Sequence, residues 1–384
     1  MRKICIVIGS RANYSSIKSV MRAVQAHSDL QLKLIVGASA VLDRFGSVVD
    51  IIETDGFKPD ARVNIIIEGE TPVTMAKSTG LALLELPTLF ELFMPDVVIS
   101  IGDRFETMAT TVAAAYMNIP VAHTMGGEVS GTIDESIRHA ITKLSHLHFP
   151  ANAAAADRII RMGEDPETVH VVGCPRIDLV AEVLQDNSSL LNDDWLEQKG
   201  VGGHVDTDRP FLLVMQHPVT TEFGDGERQI TETLMALQAL DMPAIMLWPN
   251  VDAGSEDVAR GMRKFRERYH PQQIRFYKNF PVETFIRLMH CGACLVGNSS
   301  SLIREGAFLG TPAVNVGSRQ RGRDRGRNVV DVPYDRNEIA EAVSQQVVHG
   351  PYPSDHLYGD SNSGQRIAEI LATVPIRLQK QLAY

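Results

Sequence analysis

The chain has 384 residues, is 44% apolar and 22% charged, and carries a formal charge of −10. That length and composition suit two soluble domains with ordinary cores, and the acidic balance argues against a general polyanion binder and against nucleic acid as a partner. The start, MRKICIVIGS, is too short and strand-like for a secretion signal, and no apolar run reaches membrane-spanning length, so no membrane association and a reducing cytoplasmic compartment are expected.

In chain order, KICIVIG (3–9), LKLIVG (32–37), DVVISIG (96–102), IPVAHT (119–124) and VHVVG (169–173) have the composition of buried strands. Amphipathic stretches such as SSIKSVMRAVQAH and FETMATTVAAAYMN lie between them. Continuous apolar strands spaced by helices predict a parallel sheet covered on both faces. A polar interval, EQKGVGGHVDTDRP (197–210), breaks the rhythm and marks a linker. The pattern then restarts with FLLVMQHP, PAIMLWPN, IRFYKN, ACLVGNSS, TPAVNVG and NVVDV, and SGQRIAEILATVPIRLQKQLAY closes the chain as a helix. The expected fold class is therefore α/β, two Rossmann-like doubly wound domains facing across a cleft. Their predicted bounds are 1–185 and 205–365, with a helix over 366–384 packing back across the junction.

Ligands of such sheets bind beyond the carboxyl ends of the strands, so the residues after each strand are the informative ones. They are Arg11 and Asn13, then Asp103 and Arg104, then the stretch HTMGGEVSGTIDESIRH (123–139). The second half offers His217, Asn250, GNSSSLIRE (297–305) and GSRQRGRDRGRN (317–328). GNSSSLIRE opens a helix with free backbone N–H groups and the Ser299 and Ser300 hydroxyls, an anion cradle suited to a diphosphate, with Glu305 in reach of ribose hydroxyls. Serine capping alone accounts for one serine, not three in a row. The arginine loop reads as glycine-interleaved and solvated in its later part, with Arg319, nearest the strand end, assigned to ligand. There is no Walker motif and no Gly-x-Gly-x-x-Gly after the first strand, so a nicotinamide cofactor is not expected.

An isolated histidine such as His217 is usually structural, but at a strand end before a proline a site role weighs equally. His146 and His148 in HLHF read as ordinary sheet residues rather than metal ligands. The four cysteines, Cys5, Cys174, Cys291 and Cys294, show no paired framework, and the Cys291-x-x-Cys294 pair leads into an apolar run where burial outweighs zinc or redox chemistry. Asp103 reads either as a helix cap or as a site carboxylate. Asp134 and Arg138 share a helix face at i and i+4, and Glu128 and His139 fall near them. Carboxylates from neighbouring strand ends, together with a diphosphate cradle, point to proton transfer on a bound nucleotide-sugar.

The motifs GDRFE, GGEVSGTIDESIRHAITKLSH, QHPVTT, PNVDAGS, GNSS..IRE and GTP..N.G.RQ resemble those of the hydrolysing UDP-N-acetylglucosamine 2-epimerases of sialic-acid-type biosynthesis, in register over nearly the whole chain. The resemblance implies a glycosyltransferase-B architecture and a metal-free, cofactor-free reaction. A base removes the proton at sugar C2 while UDP leaves C1, giving a 2-acetamidoglucal. Water then adds at C1 and a proton returns to C2 on the other face, releasing N-acetylmannosamine. By motif position, Asp103 and Asp134 match the family's catalytic carboxylates, and His217 and Arg138 match residues supporting them. Arg11, Asn250, Ser299, Ser300, Glu305 and Arg319 match nucleotide contacts, and Asn13, Met125 and Glu128 fall at the sugar. Arg260 and Arg263 align with arginines at an activated-sialic-acid feedback site of the animal relative, where solvated helix cations are the simpler account. A homodimer or homotetramer is implied.

Three positions depart from the family pattern. Met125 stands where a catalytic glutamate is usual, Asn13 where an aspartate is, and Ala40 where a histidine is. Glu128 is not a substitute for the glutamate, because the family has it as well. All three changes make the sugar side less polar. They fit either drift in an enzyme that takes UDP-N-acetylglucosamine, the family's commoner substrate, or a less hydroxylated sugar such as UDP-N,N'-diacetylbacillosamine of the legionaminic acid route. A glycosyltransferase or an inactive nucleotide-sugar binder of the same fold are the competing classes.

Overall fold

The computed structural model describes residues 1–43, 46–186, 193–250 and 252–383. The chain divides into two compact units: residues 1–128, 133–179 and 358–384 form the first, and 129–132 with 180–357 form the second.

Among the described residues, the first unit holds a six-stranded sheet built from β1 (Arg2–Ile8), β2 (Leu30–Gly37), β3 (Ala61–Val63), β4 (Val97–Ile101), β5 (Val121–Thr124) and β6 (Leu147–Phe149). Its order is β3-β2-β1-β4-β5-β6, all parallel, with Ile4 opposite Leu32 on one side and Val97 on the other. The order reverses between β1 and β4, the switch point at which such sheets bind ligands. On one face Cys5, Val7, Ile35, Val98 and Val121 pack against Ala82, Leu86 and Phe90 of helix Pro72–Phe93 and Ala109, Ala113 and Ala114 of helix Phe105–Tyr116.

The second unit is a seven-stranded sheet of β7 (Val201–Gly202), β8 (Leu212–Met215), β9 (Ala244–Leu247), β10 (Ile274–Tyr277), β11 (Cys294–Gly297), β12 (Ala313–Val316) and β13 (Val329–Val332). The order is β13-β12-β11-β8-β9-β10-β7, parallel except for the edge strand β7. Alternate residues serve the two faces: Leu212 and Val214 meet Ile230, Leu234, Met262 and Val343, while Leu213 and Met215 meet Leu288, Met289 and Leu302. Burial on both faces is the physical reason the central strands β8, β9 and β11 are apolar without interruption.

Four expectations are corrected. VHVVG is no strand: Val169 makes one isolated bridge to His148, and Val171 is exposed. The interval 197–210 is no linker, since it ends helix Asp193–Lys199 and supplies β7, while the chain passes between units on either side of 129–132, at 179–180 and at 357–358. The closing helix is Ser363–Thr373, and the chain beyond it is not helical. Pro375 lacks an N–H and disfavours helical backbone at the residue before it, which explains the stop. That helix lies in the first unit against helix Arg11–Ala26, where Gly364 packs on the Ser19 backbone. The arginine loop is also packed rather than solvated throughout. Arg323 is buried, and Arg325 donates to the carbonyls of Arg323 and Gln320 and pairs with Asp331. No helix among the described residues is long and apolar enough to cross a membrane.

The return of the chain to the first unit is capped from a distance. Asn362 makes no side-chain cap bond, and buried Asp178 instead accepts from the N–H groups of Ser363 (3.0 Å) and Gly364 (2.7 Å). Asp178→Ala is expected to lower unfolding free energy by about 1–2 kcal/mol, the cost of losing a helix cap, as read from a shifted urea midpoint.

Candidate active site

In the first unit the polar groups gather at the carboxyl ends of β1, β4 and β5. The turn after β4 presents Asp103, and the loop after β5 carries Met125 to Glu128. Helix Ile133–Leu144 follows with Asp134 in its first turn and Arg138 one turn on. Arg138 is 1% exposed and joins all three segments: its Nε (2.9 Å) and Nη2 both donate to Asp103 Oδ2, and its Nη1 donates to the Glu128 carbonyl at 2.7 Å. A buried guanidinium is costly unless paired and hydrogen-bonded, so this arrangement fixes where the Asp103 carboxylate lies. Asp134 is half-buried, and Glu128 is buried.

Met125 is 5% exposed, with its Sδ 3.8 Å from the Cys174 Sγ and its N–H bonded to the Phe149 carbonyl at 3.1 Å. Its φ of +61° puts a non-glycine residue in the left-handed region, a sparsely populated backbone that is retained where surrounding structure over-determines it. Asn13 is buried in the turn after β1, where its Oδ1 accepts from the Gly9 N–H (3.2 Å) and the Ser10 hydroxyl (3.1 Å). Its carbonyl oxygen thus serves the turn that presents Arg11, the first residue of helix Arg11–Ala26. Ala40 is fully buried, its N–H on the Gly9 carbonyl.

In the second unit four adjacent strands, β12, β11, β8 and β9, end in the remaining candidates. The organiser is Asn298, fully buried, whose side chain accepts from the His217 N–H (2.7 Å) and donates to the His217 carbonyl (2.9 Å). The Asn298 carbonyl takes Arg319 Nη1 at 3.3 Å and Gln320 Nε2 at 2.9 Å. His217 Nδ1 accepts from the Asn250 N–H at 3.2 Å, and Asn250 and Arg319 both reach Asp252. Ser299 caps helix Ser300–Leu309 by accepting from the Ser301 N–H at 3.3 Å, so capping does account for that serine. Ser300 opens the helix and Glu305 is buried within it. Val251 of the PNVDAGS motif lies outside the described residues.

Other sequence candidates fall elsewhere. Arg260 pairs with Glu227 (2.9 Å) and Asp257, and Arg263 pairs with Glu256, all on exposed surface. Among the described residues no cluster of three or more His, Cys, Asp or Glu side chains is placed to hold a metal. His148 bonds Glu164 at 3.1 Å instead, and Cys291 and Cys294 are free thiols, the latter buried in β11. Two residues that organise the site, His123 and Asn298, have no role assigned from sequence; Asn298 sits inside a motif whose serines, backbone N–H groups and Glu305 draw the attention.

A family profile described as UDP-N-acetylglucosamine 2-epimerase matches residues 22–372. The chain belongs to that family. It is 34% identical over 379 residues to a hydrolysing UDP-N,N'-diacetylbacillosamine 2-epimerase of Legionella pneumophila, covering 99% of this chain and 98% of the relative. It is 29% identical to a UDP-N-acetylglucosamine 2-epimerase of Neisseria meningitidis, covering 97% and 95%. In fold it is similar to the crystal structure of UDP-GlcNAc 2-epimerase from Neisseria meningitidis bound to UDP-GlcNAc, with a TM-score of 0.81, 19% identity, and coverage of 96% of this chain and 99% of that one. The Methanocaldococcus jannaschii enzyme in complex with UDP-GlcNAc and UDP gives a TM-score of 0.80 with 19% identity and the same two coverages. The fold is therefore the glycosyltransferase-B type, and the chain is an enzyme of the hydrolysing 2-epimerase kind.

The buried and half-buried histidines of the first unit set an acid sensitivity. Burial is the main cause that lowers His123 from 6.5 to about 3, and it also lowers His139, His146 and His148. Between those folded values and 6.5 the unfolded chain binds more protons than the folded one, so stability rises with pH through this window and is lost as pH falls. Urea midpoints are expected to drop from about pH 7 to about pH 5, with a slope of up to about 1.4 kcal/mol per pH unit for each fully shifted histidine. A midpoint that does not change across that range contradicts it.

Proposed function

We propose that the chain hydrolyses a UDP-2-acetamido sugar with inversion at C2. UDP is eliminated from C1 to leave a 2-acetamidoglucal, which is hydrated at C1 and reprotonated at C2 on the opposite face. The observation that carries this reading is the Asp103 carboxylate, held at the end of β4 by buried Arg138, with Asp134 one turn before that arginine on the same helix. Two carboxylates set by one helix supply what two-face proton transfer requires, one to take the C2 proton and one to return it. In the second unit, Ser299, Ser300, the start of their helix, Arg319, Asn250 and His217 offer hydrogen-bond donors to a departing diphosphate.

The sugar is proposed as UDP-N,N'-diacetylbacillosamine rather than UDP-N-acetylglucosamine, reversing the order that family frequency alone gives. Met125 supports this. A buried thioether packed on a thiol, in place of a carboxylate, makes an apolar wall suited to a 6-methyl or an acetamido methyl group and poor for a hydroxyl. The higher identity to the Legionella relative points the same way.

Incubation in D₂O with each sugar and no acceptor, followed by proton NMR, is the test. Deuterium at C2 with free UDP is expected, and the diacetyl sugar is expected to have the higher kcat/KM. UDP release without C2 exchange overturns the mechanism, and equal or reversed rates overturn the sugar assignment. Asp103→Asn keeps a carbonyl for Arg138 and should cut turnover by roughly 100-fold or more while UDP affinity stays within about twofold. Met125→Glu should move preference toward UDP-N-acetylglucosamine by about tenfold, seen in the ratio of the two kcat/KM values.

A further inference from the structure

We propose that His123 is a positioning residue that holds the Asp103 turn by donating from Nε2 to the Gly102 carbonyl, a role that rests on Asp103 being a reacting carboxylate. His123 lies on β5 between β4 and β6 and is fully buried. Its Nε2 is 2.8 Å from the Gly102 carbonyl oxygen and its Nδ1 is 3.2 Å from the Thr142 hydroxyl. A carbonyl only accepts, so the proton sits on Nε2 and Nδ1 accepts from Thr142. One ring therefore reaches both ends of the ion pair at the site. Gly102 is the residue before Asp103, and Thr142 lies one turn beyond Arg138 on helix Ile133–Leu144.

The surroundings fit this single tautomer. Gly102 has φ +71° and its own N–H bonds the Thr124 carbonyl at 3.2 Å, so the turn is gripped on both its N–H and its C=O. A Cβ on Gly126 would lie 2.8 Å from His123 Nδ1 and 3.1 Å from the Thr142 hydroxyl. The first glycine of the Gly126-Gly127 pair is thus required by the ring. Burial, with the charge of Arg138 and the neighbouring His148 adding to it, outweighs the opposing Gly102 bond and Asp103 charge and keeps the ring neutral near neutral pH. A ring so held does not exchange protons with substrate; it sets where Asp103 stands, and ångström-scale displacement of a reacting group costs orders of magnitude in rate.

Three variants and one spectrum test this. The glutamine amide nitrogen reaches about as far as Nε2 and the asparagine amide only about as far as Nδ1. His123→Gln is expected to keep kcat within about tenfold of the parent, and His123→Asn to lose about 100-fold in kcat with UDP affinity within about twofold. Thr142→Val, close in volume, frees Nδ1 and should lower kcat by about fivefold at unchanged KM. The pH–rate profile of the glutamine variant should keep its limbs, because the parent ring does not titrate there. A folded asparagine variant with parent-like kcat, a glutamine variant as slow as asparagine, or a displaced limb overturns the proposal. Imidazole ¹⁵N–¹H correlation on the parent enzyme is independent of turnover. An Nε2–H pattern from about pH 5 to about pH 8 is expected, and an Nδ1–H or imidazolium pattern refutes the role even if no variant folds. Absence of C2 exchange in the parent with the Nε2–H pattern intact refutes the epimerase reading instead.

Discussion

A buried guanidinium sets the terms for the first unit. Arg138 sets its charge against Asp103 and the Glu128 carbonyl, and an uncompensated cation at that depth costs about 3–5 kcal/mol. The end of β4, the loop after β5 and the helix Ile133–Leu144 must therefore arrive together. The same helix is fixed at its other end, where Lys380 donates to the Lys143 carbonyl at 2.8 Å and pairs with buried Glu164 at 2.7 Å. A cation at a helix C-terminus is favourable to the dipole. Lys143 adds a second cation beside Glu164 and His148 a hydrogen bond; burial pushes its carboxyl up, but hydrogen bonds from His148, Lys143 and Lys380 outweigh that and bring it to about 2. A helix tethered at both ends is a firm support for Asp134 and for the partner of Asp103.

The second unit solves a different problem with different chemistry. Its strand ends are tied by side-chain-to-backbone bonds centred on Asn298, so the loops after β8, β11 and β12 are held mainly through backbone groups, with Arg319 adding a charged contact to the same carbonyl and to Asp252. Neutral donors at a helix start suit an anion that must leave as well as bind. The proposed division of labour follows from this contrast: proton transfer where a buried ion pair aims carboxylates, and diphosphate handling where oriented amides and hydroxyls act beside Arg319.

Much of the fold was legible because parallel strands covered on both faces are mostly apolar along their length, and such runs stand out. The misreadings have physical causes. VHVVG carries strand composition, yet its pairing amounts to a single bridge, His148 to Val169, with one further bond from the Val172 N–H to the Pro150 carbonyl, and Val171 turns outward. The closing helix was read through Pro375 because its apolar spacing continues past the last helical hydrogen bond. The arginine loop looked solvated because alternating Arg and Gly say nothing about the carbonyls that wait for Arg325. At the site, Asp103 and Arg138 were visible as residues but not as a pair: spacing on the helix favoured Asp134 as the arginine's partner. The Arg138 Nε in fact bonds a residue 35 positions away.

The sequence by itself determined the doubly wound class, the strand ends at which chemistry gathers, and the family to which the chain belongs, because each of these is written in local composition and contiguous motifs. Tertiary structure alone decided which charges meet. It gave Arg138 to Asp103, placed Met125 against Cys174, turned Asn13 into its own loop, and put one neutral histidine across two motifs. Those outcomes depend on burial, and burial is a property of what packs over a residue rather than of the residues beside it in the chain.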